Sequence, residues 1–327
     1  MKTTGFIRTL TAIASLALLS AAAPAARAAD DYPSRTINFI VASTPGGILD
    51  VIGRIVSRGL ERFGQPVAVQ NIPGAGGTIG TLAAAKAPAD GYTLVMVATS
   101  HAINPSVYSK MPYDTLKDFT TLSHAVNLTN MLVVHPSVPA ANLREFIELA
   151  KRKPGELSCG SAGNGQSNHL SLEMLNTAVG IKLMHIPYKG SAQATNDVMG
   201  GSLTCMFVDA LTATPLVQAG KLKALVVTSK TRLAALPDVP TFAESGMPDF
   251  AASSWLSVAI RSNTPKDIVE KLGRNVNQTF QDPEVRQRLL SMGIEPVGAL
   301  PEPSTRFMEA EVARYATAVK NAGVKID

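Results

Sequence analysis

The chain alternates short apolar, β-branched runs with longer stretches that repeat hydrophobic residues at helical spacing, and this alternation constrains its fold most. The strand-like runs are 36–42, 67–71, 93–98, 131–135, 157–161, 182–188, 203–208, 222–228 and 256–260. The helical stretches between them include 51–63, 143–151, 170–178 and 192–199. Strand followed by helix, repeated along the chain, predicts an α/β fold with parallel sheet.

The pattern becomes helical after residue 264. Helices are expected to start at Thr264-Pro265, at Asp282-Pro283 and at Pro303-Ser304, each with proline in the first turn beside a capping side chain. Two segments indicate crossings between lobes: 127–139, and 236–255, which is rich in Pro, Gly and Ser. We therefore predict a first lobe from 29–130 and 251–327, a second lobe from 131–250, and a ligand cleft between them.

The first 28 residues have the form of a secretory signal peptide. Lys2 and Arg8 precede an apolar stretch at 10–19, and Ala26-Arg27-Ala28 forms an A-x-A cleavage site. The whole chain has a net charge of +5, but the signal carries basic residues only, and its removal leaves 27 basic against 25 acidic residues. We therefore predict an exported, periplasmic protein without a basic patch for nucleic acid, and no later stretch predicts a membrane span.

The sequence gives little support for a metal, a cofactor or catalysis. The histidines lack metal-ligand spacing, so no metal site is predicted. A nucleotide-binding G-x-G-x-x-G starting at Gly74 would need its third glycine at Ile79, and Ser167 and His169 are too close in sequence to face each other as nucleophile and base. No cofactor is predicted either. Cys159 and Cys205, the only cysteines, could form a disulfide after export or remain two small buried side chains.

Three glycine-rich loops follow predicted strands and lead into predicted helices, at 44–50, 73–80 and 161–169. Glycine lets a backbone approach a ligand closely, and a helix N-terminus offers unpaired N–H groups, so such loops can hold an anion without a basic side chain. The alternative is that each loop is only a turn. The candidate ligand-binding residues in these loops are Thr44, Pro45, Gly46, Gly47, Ile48, Asp50, Thr78, Ser161, Ala162, Gly163, Asn164, Ser167 and His169.

Two further strand ends carry candidate ligand-binding side chains. Thr99, Ser100 and His101 end the third strand, and Asp209 ends the strand at 203–208. Each has a structural alternative: His101 would be only solvated in a loop, Asp209 would cap a helix, and Asp50 would stabilise a first helical turn.

A series of short motifs follows a characteristic order along the mature chain. They are Tyr32-Pro33-Ser34, Thr44-Pro45-Gly46-Gly47 with Asp50, Gly64-Gln65-Pro66-Val67, Pro73-Gly74-Ala75-Gly76-Gly77, Asp90-Gly91-Tyr92-Thr93-Leu94, Ala102-Ile103-Asn104-Pro105, Pro112-Tyr113-Asp114, Ser161-Ala162-Gly163-Asn164-Gly165, His185-Ile186-Pro187-Tyr188-Lys189-Gly190, Ala219-Gly220-Lys221-Leu222, Leu236-Pro237-Asp238-Val239-Pro240-Thr241, Ser254-Trp255 and Asp282-Pro283-Glu284-Val285-Arg286. Over essentially its whole length the chain resembles the Bug family, the periplasmic solute receptors of tripartite tricarboxylate transporters.

This resemblance implies a type II periplasmic-binding-protein fold, a bilobal "Venus flytrap" with the ligand between two α/β lobes and the C-terminal helices on the first. It implies capture of a small carboxylate for a membrane permease of large and small subunits. A monomer is expected, with no nucleic-acid partner. In the family, the loops that match 44–50, 99–101 and 161–167 line the cleft.

Two departures from the family pattern bear on the ligand. Ile48 and Leu49 stand where the first loop usually has glycine and threonine. Either they favour a ligand with an apolar body, aromatic or aliphatic, or they turn into the lobe core. Many members carry an acid where this chain has Val208, which puts a ligand contact from Asp209 in doubt. An exported sensor for a two-component system, or an exported enzyme using the same cleft, remains an alternative function.

Overall fold

The computed structural model describes residues 32–250 and 252–325, so the predicted signal peptide lies outside the described residues. In chain order the elements are β1 (Ile37–Val41), α1 (Ile48–Leu60), β2 (Val67–Asn71), α2 (Thr78–Ala85), β3 (Thr93–Ala98), α3 (Ser100–Val107), β4 (Phe119–Leu128), β5 (Asn130–Val134), α4 (Leu143–Arg152), β6 (Ser158–Ser161), α5 (Ser167–Val179), β7 (Met184–Pro187), α6 (Ser191–Met199), β8 (Cys205–Asp209), α7 (Ala210–Gln218), β9 (Lys223–Val227), β10 (Ser254–Arg261), α8 (Lys266–Gln281), α9 (Pro283–Ser291), β11 (Ile294–Pro296) and α10 (Pro301–Ala322). Among these described helices, none is long and apolar enough to cross a membrane.

The strands form two sheets, each built by a different part of the chain. The first has the order β11-β4-β10-β3-β1-β2 and the second the order β7-β6-β8-β5-β9. The first sheet therefore takes its strands from both ends of the described chain, and the second from the middle. The lobe limits at residues 130 and 250 stay a prediction.

The sheets contain the parallel pairs that the alternation of strands and helices predicts, but they also contain antiparallel pairs and are therefore mixed. In the first sheet β1 runs parallel to β2 and β3, but β10 is antiparallel to both β3 and β4. In the second sheet β5 is antiparallel to β8 and β9. The reason lies at the crossings: Ser254, which begins β10, pairs with Leu128, which ends β4. The chain thus leaves the first sheet at the end of β4 and re-enters it beside that end, as β10, which runs in the opposite direction.

Sequence patterns missed several elements. β4 is the longest strand, yet Thr121, Ser123 and His124 interrupt its apolar pattern although all three are buried. The short helices α3 and α7 contain Pro105 and Pro215, which obscured the helical spacing. These elements form because packing between neighbouring strands and helices overrides weak local preferences.

The expected helix caps are only partly correct. Asp282 accepts hydrogen bonds from the amides of Glu284 and Val285 and caps α9 as predicted. The hydroxyl of Thr264 instead donates to the carbonyl of Arg261, so α8 has no side-chain cap. The last helix begins at Pro301, two residues before the expected start.

A disulfide joins Cys159 and Cys205 in the core of the second sheet. The two residues lie opposite each other on the parallel strands β6 and β8, and both are fully buried beside Phe146 and Phe207. Of the two alternatives that the sequence left open, the structure has the bonded one.

Hydrogen bonds tie the two crossings together. The side-chain amide of Asn130, at the start of β5, donates to the carbonyl of Ala252 and to the hydroxyl of Ser254, both at 3.1 Å. The hydroxyl of Ser254 donates in turn to that of Ser167, at 3.2 Å. Because Ser167 begins α5, this chain of hydrogen bonds connects both crossings to a helix of the second sheet.

Candidate functional site

A cavity of about 540 Å³ lies where strand ends of the first sheet face the beginning of α5. No Asp, Glu, Lys or Arg is among the described residues that line it. The lining residues are Ala42, Ser43, Thr44, Gly47, Ile48, Leu49, Pro73, Gly74, Gly76, Gly77, Thr81, Val97, Ala98, Thr99, Ser100, His101, Asn104, Tyr113, Leu128, Gln166, Ser167, Ser254, Trp255 and Leu256. Seven of the residues predicted from sequence are among them: Thr44, Gly47, Ile48, Thr99, Ser100, His101 and Ser167.

Four helices begin at this cavity, and none of them has a side-chain cap. The residues that precede α1, α2, α3 and α5 are Gly47, Gly77, Thr99 and Gln166, and all four line the cavity. The capped helices α4, α7 and α9 begin elsewhere. The first N–H groups of a helix have no partner within the helix and carry a partial positive charge. The site therefore suits a negatively charged group held by backbone amides.

Asp50 holds the first loop in shape. Its carboxylate is buried and accepts hydrogen bonds from the amide of Gly46 at 2.9 Å, from Asn71 at 3.0 Å and from Arg54 at 3.1 Å. Burial by itself would raise the pKa of Asp50, but the hydrogen bonds from Gly46, Asn71 and Arg54 outweigh it, and the pKa lies below its ordinary value. Asp50 does not line the cavity, and its hydrogen bonds to Gly46 and Arg54 connect the loop to α1.

Ile48 and Leu49 both line the cavity, and Leu49 is also buried against the protein. Together with Leu128 and Trp255 they give the site an apolar wall beside its helix N-termini. Pro45 and Gly46 are exposed on the outer part of the same loop.

His101 is buried at the site rather than solvated in a loop. It lies in the first turn of α3, its ring packs against Tyr113 and Phe119, and burial lowers its pKa to about 4. Neither ring nitrogen has a hydrogen-bond partner among the described residues. Thr78 lies behind the lining and accepts a hydrogen bond from Asn104, at 3.1 Å, so it positions a lining residue.

Most amides of the loop at 161–167 already have partners. The amide of Ala162 donates to Asn168, that of Gly163 to the hydroxyl of Ser161, and that of Gly165 to His169 Nδ1. Of this part of the chain, only Gln166 and Ser167 line the cavity. Asn164 is exposed, and the other predicted residues of the loop hold it together from within.

Two stacked histidines support the same loop. The rings of His169 and His185 lie 3.5 Å apart between centroids and are nearly parallel, and His185 Nε2 is within hydrogen-bond distance of the Ser161 hydroxyl. Burial lowers the pKa of both histidines to about 4, and for His169 the neighbouring His185 lowers it further. Ser161 is fully buried and His185 is half-buried, and neither residue lines the cavity.

Asp209 caps α7, which is the structural role that the sequence offered as the alternative to a ligand contact. Its carboxylate accepts hydrogen bonds from the amide and the hydroxyl of Thr212, both at 2.8 Å. It borders a smaller neighbouring cavity instead of the one at the helix N-termini.

Sequence reasoning missed several lining residues. Trp255, Ser254 and Leu128 lie at the crossings, which the sequence predicts as connections between lobes and not as ligand contacts. Trp255 is the only tryptophan of the chain and stands in a motif that had been noticed. Asn104 and Gln166 also lie inside noticed motifs, and an amide side chain beside a predicted helix start is the signal that could have singled them out.

The family described as tripartite tricarboxylate transporter family receptor matches residues 52–324 of the chain. BugT of Bordetella pertussis is 35% identical over 320 residues, which are 97% of this chain and 98% of that protein. Among solved structures, R. palustris Rpa4515 with adipate aligns at a TM-score of 0.77 and 34% identity, covering 90% of this chain and 99% of that one. MatC (Rpa3494) from Rhodopseudomonas palustris with bound malate aligns at a TM-score of 0.71 and 28% identity, covering 88% and 100%.

Proposed function

Because the chain belongs to the tripartite tricarboxylate transporter receptor family, we propose that it captures a small organic carboxylate in the periplasm. The family membership and the bilobal α/β fold that the sequence motifs predicted are confirmed by the comparisons. The structures of Rpa4515 with adipate and of MatC with malate support a carboxylate as the class of ligand.

One observation carries the proposal: four uncapped helix N-termini converge on a cavity whose lining has no charged side chain. Each helix end contributes roughly half a positive charge. A carboxylate there gains hydrogen bonds from amides that otherwise lack partners, whereas a cation is repelled. The site thus selects for anions without a salt bridge.

The protein binds its ligand without transforming it. Among the described residues, the cavity lining offers no carboxylate or lysine as a general base, and Ser161 and His185, which pair with each other, do not line it. Hydrogen bonds and apolar contact suffice for capture, and this agrees with a family of receptors.

The first lobe comprises residues 29–130 and 251–327, and the second comprises residues 131–250. The two lobes close on the ligand and present a combined surface to the permease of large and small subunits. The mature protein acts as a monomer, and nucleic acid is not a partner. The hydrogen bonds from Asn130 and Ser254 at the crossings give this closing motion a defined pivot.

The only tryptophan makes the proposal directly testable, because Trp255 lines the cavity. Purified mature protein is titrated with adipate, malate, benzoate and phthalate while the fluorescence of Trp255 and the melting temperature are followed. At least one carboxylate should change the fluorescence saturably and raise the melting temperature, since a ligand that binds the native state stabilises it. The variant Trp255→Phe is the control that loses the fluorescence signal. If only sugars or cations stabilise the protein, the proposed function is wrong.

A further inference from the structure

Ile48 and Leu128 form an apolar wall that the main cavity shares with a neighbouring cavity. Both residues line the main cavity, and both also line a second cavity of about 220 Å³. Ile48 begins α1 and Leu128 ends β4, so this shared wall lies beside the uncapped N-terminus of α1. The second cavity is therefore next to the helix end at which the anionic group of a ligand would lie.

The second cavity adjoins a third, of about 590 Å³. The two cavities share the lining residues Ala210, Leu211, Met292 and Gly293. We call this third cavity the Leu211 groove; it is lined by Ala210, Leu211, Thr214, Pro215, Leu233, Ala234, Ala235, Leu290, Ser291, Met292 and Gly293. None of these residues is charged. The three cavities thus lie in a row that starts at the helix N-termini, and each shares lining residues with the next.

The Leu211 groove lies between elements that belong to different sheets. Leu211 is on α7, which follows a strand of the second sheet, and Leu290 is on α9, which precedes a strand of the first. Gly293 and Ala210 meet closely at its base, since a Cβ added to Gly293 would lie 3.2 Å from that of Ala210. Leu211 and Leu290 remain 45% and 56% exposed, so the groove has apolar surface to cover.

Asp209 is the only charged residue along the second cavity and the groove, and its carboxylate is engaged by Thr212. The row therefore offers no cation for a second carboxylate on a ligand. An anionic distal end would lie near Asp209 and apolar walls without a partner, which is costly. A distal methyl group would instead bury apolar surface of both the ligand and the groove.

We propose that the Leu211 groove binds the aliphatic chain of a monocarboxylate whose carboxylate lies at the helix N-termini. This inference rests on the proposed function and narrows its ligand to aliphatic monocarboxylates long enough to pass Ile48 and Leu128. The row of adjoining cavities points to this occupant, because the second cavity shares lining residues with both the main cavity and the groove.

A chain-length series tests the inference. Butanoate, hexanoate, octanoate and decanoate are titrated against the mature protein by Trp255 fluorescence. Once the aliphatic chain of the ligand is long enough to pass Ile48, affinity should rise about fourfold for each added methylene, the fold-change that corresponds to about 0.8 kcal/mol. Octanoate should also bind more tightly than suberate, the dicarboxylate of equal length. Affinity that stays flat or falls with chain length, or a preference for suberate, overturns the inference.

Variants on opposite walls of the Leu211 groove test whether the aliphatic chain of the ligand binds there. Leu211→Asp and Met292→Asp should each weaken decanoate binding at least tenfold and leave butanoate unchanged, and Leu211→Met should keep decanoate binding. Leu116→Asp is the matched control, because Leu116 is similarly exposed but lies outside the row of cavities. Unchanged decanoate affinity in both aspartate variants overturns the inference.

The two proposals fail in different ways. If adipate or butanoate binds but longer chains gain nothing, only the inference about the groove is wrong. If no carboxylate binds at all, the proposed function is wrong and this inference with it.

Discussion

The hydroxyl of Thr99 accepts a hydrogen bond from the backbone amide of Trp255 at 2.9 Å and donates one to the carbonyl of the same residue at 3.3 Å. Thr99 follows β3 and precedes α3, and Trp255 stands near the start of β10, so the pair joins a strand end to the strand that returns from the second sheet. Both residues are buried and both line the cavity. One side chain thereby links the predicted ligand loop to the crossing.

Replacing Thr99 by valine keeps the shape and removes both hydrogen bonds. The buried amide of Trp255 loses its partner, so the free energy of unfolding should fall by about 1–3 kcal/mol. Urea unfolding followed by Trp255 fluorescence measures this loss. Thr99→Ser, which keeps the hydroxyl, is the control and should lose less. An equal free energy of unfolding for Thr99→Val and the wild type would show that the two hydrogen bonds between Thr99 and Trp255 do not stabilise the fold.

Removing the disulfide should destabilise the protein strongly. Cys159 and Cys205 are 46 residues apart, and opening that loop increases the entropy of the unfolded chain. The double variant Cys159→Ala/Cys205→Ala should lose about 2–4 kcal/mol of unfolding free energy. Calorimetry of the oxidised wild type, the reduced wild type and the variant measures the effect. A melting temperature unchanged by both reduction and substitution would contradict it.

Asp50→Asn should weaken ligand binding without touching the ligand. The neutral amide cannot serve Gly46, Asn71 and Arg54 as the carboxylate does, so the loop at 44–47 loses its support. Titration with adipate or another bound carboxylate measures the loss, and Asp209→Asn, at a helix start outside the main cavity, is the matched control. Affinity that falls equally in both variants would contradict the prediction.

The same variant gives a defined pH dependence. The folded state lowers the pKa of Asp50 from 3.8, so this residue stabilises the fold above that value and the contribution disappears as the pH falls below it. The difference in unfolding free energy between the wild type and Asp50→Asn should therefore be largest near neutrality and shrink in acid. Urea unfolding at several pH values measures it, and a constant difference would argue against the assigned role.

The stacked pair of His169 and His185 should make the protein less stable in acid. Their pKa values are about 4 in the folded state, against 6.5 as the ordinary value, so the unfolded chain binds more protons between these values. Stability should therefore fall as the pH drops from about 6.5 towards 4. Protonation of His169 also removes the acceptor for the Gly165 amide and charges a ring stacked on His185, although Glu173 lies 3.7 Å from its other nitrogen.

His169→Asn tests this contribution, because it removes the titrating ring and keeps an acceptor near the Gly165 amide. Its unfolding free energy should depend less steeply on pH between 6.5 and 4 than that of the wild type. His101 and His124, whose pKa values are also lowered by burial, remain in both proteins. Identical slopes would show that the stacked pair does not control the acid response.

Several cavity-lining residues could be predicted because their signals are local. Gly47 and Gly77 stand where a strand gives way to a helix, and a glycine in that position leaves the helix N-terminus open to a ligand. Thr99, Ser100 and Ser167 were found for the same reason. The loop at 161–164 has the same signature, but its amides are satisfied by Ser161, Asn168 and His169, and that choice of partner is invisible in the spacing.

The sequence by itself determined the α/β class and several of the glycine-rich helix starts that follow strands, because periodicity, glycine and proline act over a few residues. Only the tertiary structure decided that β10 enters antiparallel between β3 and β4, that Trp255 lies against Thr99, and that Ile48 and Leu128 line two neighbouring cavities. These contacts join residues far apart in the chain. They arise when the returning strand and its neighbours pack together, and no local pattern encodes that event.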